Sequence, residues 1–303
     1  MTLAVGQDQA LKSWDEINKR LSVVADRQLF FIGGAPRSGT TWLQQILDSH
    51  PNASCKGEGL FAKDLYPPLE AAMAQRRKAL QTKNQGLFQH TGGYPLPTPD
   101  DTETLAGTAM LLAFSQQSGD EDCQAFGEKT PENVFFFARF KALFPRAKFI
   151  AIARDPRDVL TSAWYFFRKP EPGDNDRAAK IDFIRAALPS LAEGARTMLA
   201  FGEHHPTAYR MVTYERLRED PEPTVAGLFG FLGLSDTVET VRACLAETSF
   251  VAATGGRPAG TAENGALLRK GVVGDWQSTL TPEMNDLILR ELGWMFPYFG
   301  WTP

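Results

Sequence analysis

The apolar run Leu29-Phe30-Phe31-Ile32 leads directly into Gly33-Gly34-Ala35-Pro36-Arg37-Ser38-Gly39-Thr40-Thr41-Trp42. Such a run predicts a buried strand over residues 28–34. Residues 38–49 then put Trp42, Leu43, Ile46 and Leu47 on one face, the spacing of an amphipathic helix. A strand that turns through glycines into a helix is one unit of an α/β sheet. It is also an anion site in outline. Backbone N–H groups of the first helical turn lack partners, and the helix dipole favours negative charge there. Gly33, Gly34 and Gly39 permit a tight turn, Ser38, Thr40 and Thr41 add hydroxyls, and Arg37 adds a charge.

The rest of the chain repeats this alternation. Strands are predicted at 124–130, at 148–153 (KFIAIA) and at 208–213 (AYRMVT), with a short strand or turn within 51–59. Helices are predicted at 10–27, 60–84, 102–118, 132–144, after Arg154-Asp155-Pro156-Arg157 through Phe167, and at 181–203, 222–233 and 281–294. Residues 85–101 and 168–180 read as loops, and 252–268 as a mobile Gly/Ala-rich stretch. Alternating strands and helices predict one α/β domain over 1–303, a mostly parallel central sheet flanked by helices and P-loop NTPase-like. Its core spans roughly 28–300. Segments 60–100, 164–185 and 252–270 are expected to cover the ligand edge.

Composition limits the partners. The net charge of −4 argues against nucleic-acid binding through bulk charge. Cys55, Cys123 and Cys244 are scattered, without a CxxC pair, and only four histidines are present. No metal site is expected, and a reducing cytoplasm fits. The first twenty residues lack a long apolar core, which reads against a signal peptide. No apolar run reaches the length of a membrane span.

The loop departs from the ATP-binding pattern G-x-x-x-x-G-K-[ST] in one residue. Gly34, Gly39 and Thr41 match, but Thr40 stands where the lysine should be. KFIAIA ends at Arg154, not at a magnesium-binding acid. These features favour a nucleotide without a triphosphate chain and with further negative charge near Arg154. An ATP-dependent kinase and a non-catalytic nucleotide-binding regulator remain the alternatives.

Several ordered motifs carry a resemblance over most of residues 28–300. PRSGTTW resembles the 5′-phosphosulfate loop of sulfotransferases that use 3′-phosphoadenosine 5′-phosphosulfate (PAPS). Arg37 stands where cytosolic members usually have lysine, as in tyrosylprotein members. ARDPRDVLTSAWYF resembles the 3′-phosphate segment, with Arg154 at the strand end and Ser162 eight residues later. Thr248-Ser249-Phe250, Tyr214 and LRKGVVGDW resemble the family's adenine-side and late phosphate elements. The resemblance implies that Arg37, Ser38, Gly39, Thr40 and Thr41 hold the 5′-phosphosulfate. It implies that Trp42, Tyr214, Thr248 and Phe250 surround adenine. Arg154, Ser162, Arg269, Lys270 and Gly271 are implied at the 3′-phosphate.

It further implies metal-independent sulfuryl transfer to a hydroxyl or amine, releasing 3′-phosphoadenosine 5′-phosphate (PAP). The acceptor is a small molecule or a group on a carrier. Arg37 and Lys129, in GEKTP, are the implied catalytic cations. The family's usual base histidine is replaced by Pro131. Glu58 is the leading base, since burial can raise a carboxylate's pKa toward working pH. His90, in a Gly/Pro segment, is the alternative. Aromatics of 60–100 and 164–185, including Phe61, Tyr66, Phe88, Tyr94 and Trp164 to Phe167, are candidate acceptor walls.

Overall fold

β1 (Gln28–Gly34) is buried from Leu29 onward, so both its faces need apolar cover. In the computed structural model, which describes residues 13–117, 122–170 and 176–303, it receives that cover as a central strand of a parallel sheet. The other strands are β2 (Ala53–Ser54), β3 (Ala125–Lys129), β4 (Lys148–Ala153) and β5 (Tyr209–Thr213). Their order is β2-β3-β1-β4-β5, and every neighbouring pair is parallel. Strand order reverses at β1, flanked by β3 and β4. A ligand crevice opens beyond the carboxyl ends of strands at such a reversal.

The flanking helices in chain order are α1 (Trp14–Asp26), α2 (Thr40–Asp48), α3 (Tyr66–Gly86), α4 (Pro99–Phe114), α5 (Phe137–Leu143) and α6 (Pro156–Ala163). After them come α7 (Arg177–His204), α8 (Tyr214–Glu219), α9 (Pro221–Leu232), α10 (Val238–Glu247), the single turn α11 (Phe250–Ala253), α12 (Pro282–Leu292) and the single turn α13 (Phe296–Phe299). None is long and apolar enough to cross a membrane.

Period-two alternation sends β1 side chains into two cores. Phe31 stacks on Phe140 at 4.7 Å between ring centroids and lies 5.7 Å from Phe149, with α4, α5, α7 and α12 behind. Phe30 and Ile32 face the other way, toward Leu43 and Ile46 of α2 and Phe229 of α9. Gly127 in β3 has a steric reason: a Cβ there would stand 2.1 Å from the Phe30 ring.

The structure moves several expected boundaries. The helix expected from 38 starts at Thr40, because Gly39 is left-handed at φ 102°. The first helix begins at Trp14, and residues 10–12 lie outside the described ones. Residues 61–65 and 164–168 are π-helical turns at helix ends. The 85–101 loop gives way to α4 at Pro99, capped by Thr98. Residue 118 and part of the 168–180 insertion lie outside the described residues. α7 already begins at Arg177, capped by Asp176. The 132–144 helix divides into a 3-10 turn and α5. α8 and α10 were not expected.

His50 closes α2 on the next strand. Its Nδ1 accepts the Asn52 N–H at 3.1 Å, so Nε2 carries the proton toward the Ser235 carbonyl at 3.0 Å. Burial pushes its pKa below the ordinary imidazole value of 6.5, against a smaller upward pull from Ser235. The unfolded chain therefore takes up this proton more readily. Stability from the neutral ring is present above pH 6.5 and is lost as pH falls below it. Denaturant unfolding at pH 7.5 and 5.5 should show that loss, with a slope from this residue of at most about 1.4 kcal/mol per pH unit. His50→Gln should flatten it; the same slope in the variant contradicts this role.

Candidate active site

The turn after β1 is held in a conformation that glycine makes possible and arginine strains. Gly34 has no room for a side chain: a Cβ would lie 2.4 Å from the Ile152 carbonyl and 2.9 Å from Ser38 Oγ. A Cβ on Gly39 would reach the Tyr214 ring at 2.7 Å. Arg37 itself has φ 74°, a left-handed position that costs a non-glycine residue about 1–3 kcal/mol. That strain aims its backbone and guanidinium in different directions. The Arg37 carbonyl accepts from Arg154 Nη1 at 3.3 Å. The guanidinium lies over the Phe166 ring at 4.3 Å and donates to Ser162 Oγ at 3.3 Å and the Leu267 carbonyl at 2.6 Å.

Three distant segments thus meet at one cleft. Every predicted cofactor residue except Ser38 lines it: Arg37, Gly39, Thr40, Thr41, Trp42, Arg154, Ser162, Tyr214, Thr248, Phe250, Arg269, Lys270 and Gly271. Ser38 is fully buried behind the loop. Arg154 leaves the end of β4, covers the Tyr214 ring at 4.2 Å and donates to the Val272 carbonyl at 2.9 Å. Arg269 comes from the late loop and lies over Tyr165 at 4.6 Å.

Concentrated positive charge dominates the cleft. Burial, then the fields of Arg154 and Arg269, push the Arg37 pKa down to about 10. Burial is also the largest cause lowering Arg269, and Arg154 adds to it. Ser38 Oγ, Arg154 Nε and Arg269 Nε are buried without hydrogen-bond partners. Repelling guanidiniums and unused donors around a helix N-terminus are the donor set of an anion with several oxygens. The residues present therefore fit a phosphorylated nucleotide.

Two acids hold the cations, Asp158 from behind the cleft and Asp275 in its lining. Asp158 pairs with Arg154 at 3.4 Å and accepts the Gly274 and Trp276 N–H groups at 2.8 and 3.0 Å. Asp275 pairs with Arg269 and with Lys270, the latter at 2.5 Å. Reading residue by residue for cations missed both acids, although Asp158 lies one helical turn beyond Arg154.

A flat slot adjoins the charges. Trp42 donates from Nε1 to the Thr248 carbonyl at 3.0 Å and meets Tyr214 edge-on at 5.8 Å. Phe250 lies against Gly271, whose φ is 66° and where a Cβ would stand 2.4 Å from the ring. Arg218, also missed, lines the slot beside Trp42. It follows Tyr214 by four residues in α8, a spacing that places both on one face.

Lys129 reaches from the end of β3 to Glu58 at 2.6 Å and Thr41 Oγ1 at 3.3 Å. Lys129 is buried, but Glu58 is 45% exposed, so the buried carboxylate expected from the sequence is not what its turn presents. His90 is exposed, and its ring pairs with Gln89 at 3.2 Å. Phe61, Tyr66 and Trp164 are buried, whereas Phe88, Tyr94 and Phe167 are exposed. Of the expected aromatic walls, Tyr165 and Phe166 meet the site arginines. A second, mostly apolar cavity touches Gly34, Ala35 and Pro36 from the opposite sheet face. Val134, Phe135, Leu191, Gly194 and Met198 border it, and Arg154 lines both cavities.

A model of the sulfotransferase family matches residues 30–238. The chain belongs to the sulfotransferase family. It is 32% identical over 281 residues to cytosolic sulfotransferase 17 of Arabidopsis thaliana, covering 84% of this chain and 70% of the relative. A putative protein-tyrosine sulfotransferase of Caenorhabditis briggsae is 30% identical over 208 residues, covering 68% of this chain and 66% of that protein. The fold resembles the crystal structure of mouse sulfotransferase SULT7A1 complexed with PAP. The TM-score is 0.56 at 17% identity, covering 92% of this chain and 88% of the mouse chain. Among the described residues, no group of three His, Cys, Asp or Glu side chains could hold a metal ion.

Inorganic phosphate should stabilise this sulfotransferase through the arginine cluster. At ten times its Kd the gain is about 1.4 kcal/mol, a rise of about 2 °C in unfolding temperature for a chain this long. Arg154→Ala should remove at least half of that rise. An equal rise in the variant contradicts the anion site.

Proposed function

We propose that this sulfotransferase divides its donor's two anionic ends between two groups of cations. In this reading Arg154, Ser162, Arg269, Lys270 and Gly271 hold the 3′-phosphate of PAPS. Arg37, Ser38, Gly39, Thr40 and Thr41 hold the 5′-phosphosulfate at the start of α2. Trp42, Tyr214, Thr248 and Phe250 enclose the adenine. The observation that carries the reading is the convergence of Arg37, Arg154 and Arg269 on one aromatic-sided cleft.

When bound, PAPS supplies an activated sulfuryl group whose leaving group is a phosphate of PAP. The chain's part is positioning and charge. Lys129 and Arg37 supply fixed positive charge beside Thr41 and Ser162. Glu58 accepts the proton of the attacking hydroxyl or amine. Its partial exposure leaves the carboxylate open to an acceptor, and its contact with Lys129 ties base and cation into one unit. His90 has no such tie, which is why Glu58 is preferred.

The acceptor's apolar body is assigned to the second cavity, because that cavity reaches the phosphate loop at Pro36, next to Arg37. A small alcohol, phenol or amine fits, free or on a carrier. Gly194 is the place to test this, since a Cβ there would meet only Phe135, at 3.6 Å.

Radiolabelled sulfuryl transfer to a panel of alcohols, phenols and amines tests the whole reading. Glu58→Gln should lower kcat by about 100-fold or more while PAP affinity stays within about twofold. Gly194→Leu should raise the acceptor KM at constant PAP affinity. Full activity in Glu58→Gln removes Glu58 as the base, and an unchanged acceptor KM in Gly194→Leu removes the acceptor from this cavity.

A further inference from the structure

Beneath the Glu58 turn lies a buried carboxylate that the proposed chemistry does not use. Glu128 precedes Lys129 in β3, so its side chain leaves the opposite face of the strand. It is 1% exposed. Its Oε1 accepts the Gly59 N–H at 2.8 Å and the Thr130 hydroxyl at 2.5 Å. Its Oε2 accepts from Asn133 Nδ2 at 2.6 Å, and the same amide nitrogen donates to the Ile32 carbonyl at 3.0 Å. Thr130 Oγ1 in turn accepts the Leu60 N–H at 3.3 Å. On the strand side, the Lys129 N–H donates to the Gly57 carbonyl at 3.1 Å.

These contacts grip the turn at both ends and leave Glu58 between them. The turn needs gripping. Gly57 sits at φ 110° and Leu60 at φ 51°, the second a left-handed position that a leucine does not hold unaided. A Cβ on Gly59 would press on the grip, at 3.0 Å from both Glu128 Cγ and the Phe61 ring. Burial raises the Glu128 pKa against the pull of its donors, so the fold maintains this carboxylate at a cost.

We infer that Glu128 is a positioning residue: with Thr130 and Asn133 it holds the Gly57–Leu60 turn so that the Glu58 carboxylate stays on Lys129, beside Thr41. This rests on Glu58 being the base, as proposed above. A carboxylate is suited to the role because its three neighbours are all donors. Glutamine in its place would turn an amide N–H₂ toward one of them.

A double-mutant cycle in sulfuryl transfer tests the inference, alongside hydrogen exchange of the turn amides. Glu128→Gln should lower kcat by about 10-fold or more, with PAP affinity and PAPS KM within about twofold of the parent. Added to Glu58→Gln it should cost less than about twofold further, because both changes disable the same base. Exchange at Gly59 and Leu60 should quicken selectively. Thr130→Val removes the second grip and should act in the same direction, and it decides the question alone if Glu128→Gln does not fold. Losses that multiply in the double variant, or unchanged kcat in a folded Glu128→Gln or Thr130→Val, overturn the inference. Full activity of Glu58→Gln overturns the base assignment instead, and the inference with it.

Discussion

Mutual repulsion among Arg37, Arg154 and Arg269 is the constraint around which the ligand edge is organised. Burial first, and then the neighbouring guanidiniums, lower the pKa values of Arg37 and Arg269 in this cleft. The fold holds them there with β1, β4 and the late loop, each supplying one. Parallel pairing of β1 with β4, with Gly34 opposite Ile152, brings the Arg37 loop and the Arg154 strand end side by side. An anion relieves this arrangement, so charge that destabilises the free protein becomes binding energy.

The late loop is held by acids set back from the cleft. Asp158, fully buried on α6, accepts two backbone N–H groups around Gly274 and Trp276 while facing Arg154. Arg157 lies over Trp276 at 3.9 Å and Phe296 at 4.8 Å and donates to the Thr302 carbonyl at 2.6 Å. Glu215 accepts from the Asp155 N–H and from Trp301 Nε1, at 3.0 and 3.1 Å. The four residues from Arg154 to Arg157 thus connect the cleft to the last helical turn. Their spacing on one helix start explains how a short segment can do both.

Sequence alone revealed the parts of the molecule whose chemistry is local. The apolar runs of β1 and β4 and the glycines of the phosphate loop state their conformations directly. So do the arginines at a strand end and in the late motif. What was hidden depends on contacts between segments far apart in the chain. Glu58 was read as a base that burial would tune, yet its exposure is set by how β3 and the 57–60 turn meet. Glu128 looked like an ordinary strand residue, since the Gly59 N–H that it accepts lies about seventy positions earlier. α10 was missed because its apolar face, Val241 and Cys244, is short and packs on an element assigned separately. Aromatics near the site were legible as aromatics but not as core or wall: Tyr66 stacks under Arg139 in the interior, while Phe166 lies under Arg37.

The central claim is that the cleft reads a nucleotide by charge at two separated positions. Calorimetric titration with PAP, adenosine 5′-phosphate and ATP, in buffer without magnesium, tests it most directly. The account predicts that PAP binds at least about tenfold tighter than either of the others, a difference of about 1.4 kcal/mol. Equal affinity for PAP and adenosine 5′-phosphate, or ATP binding as tightly as PAP, would contradict it.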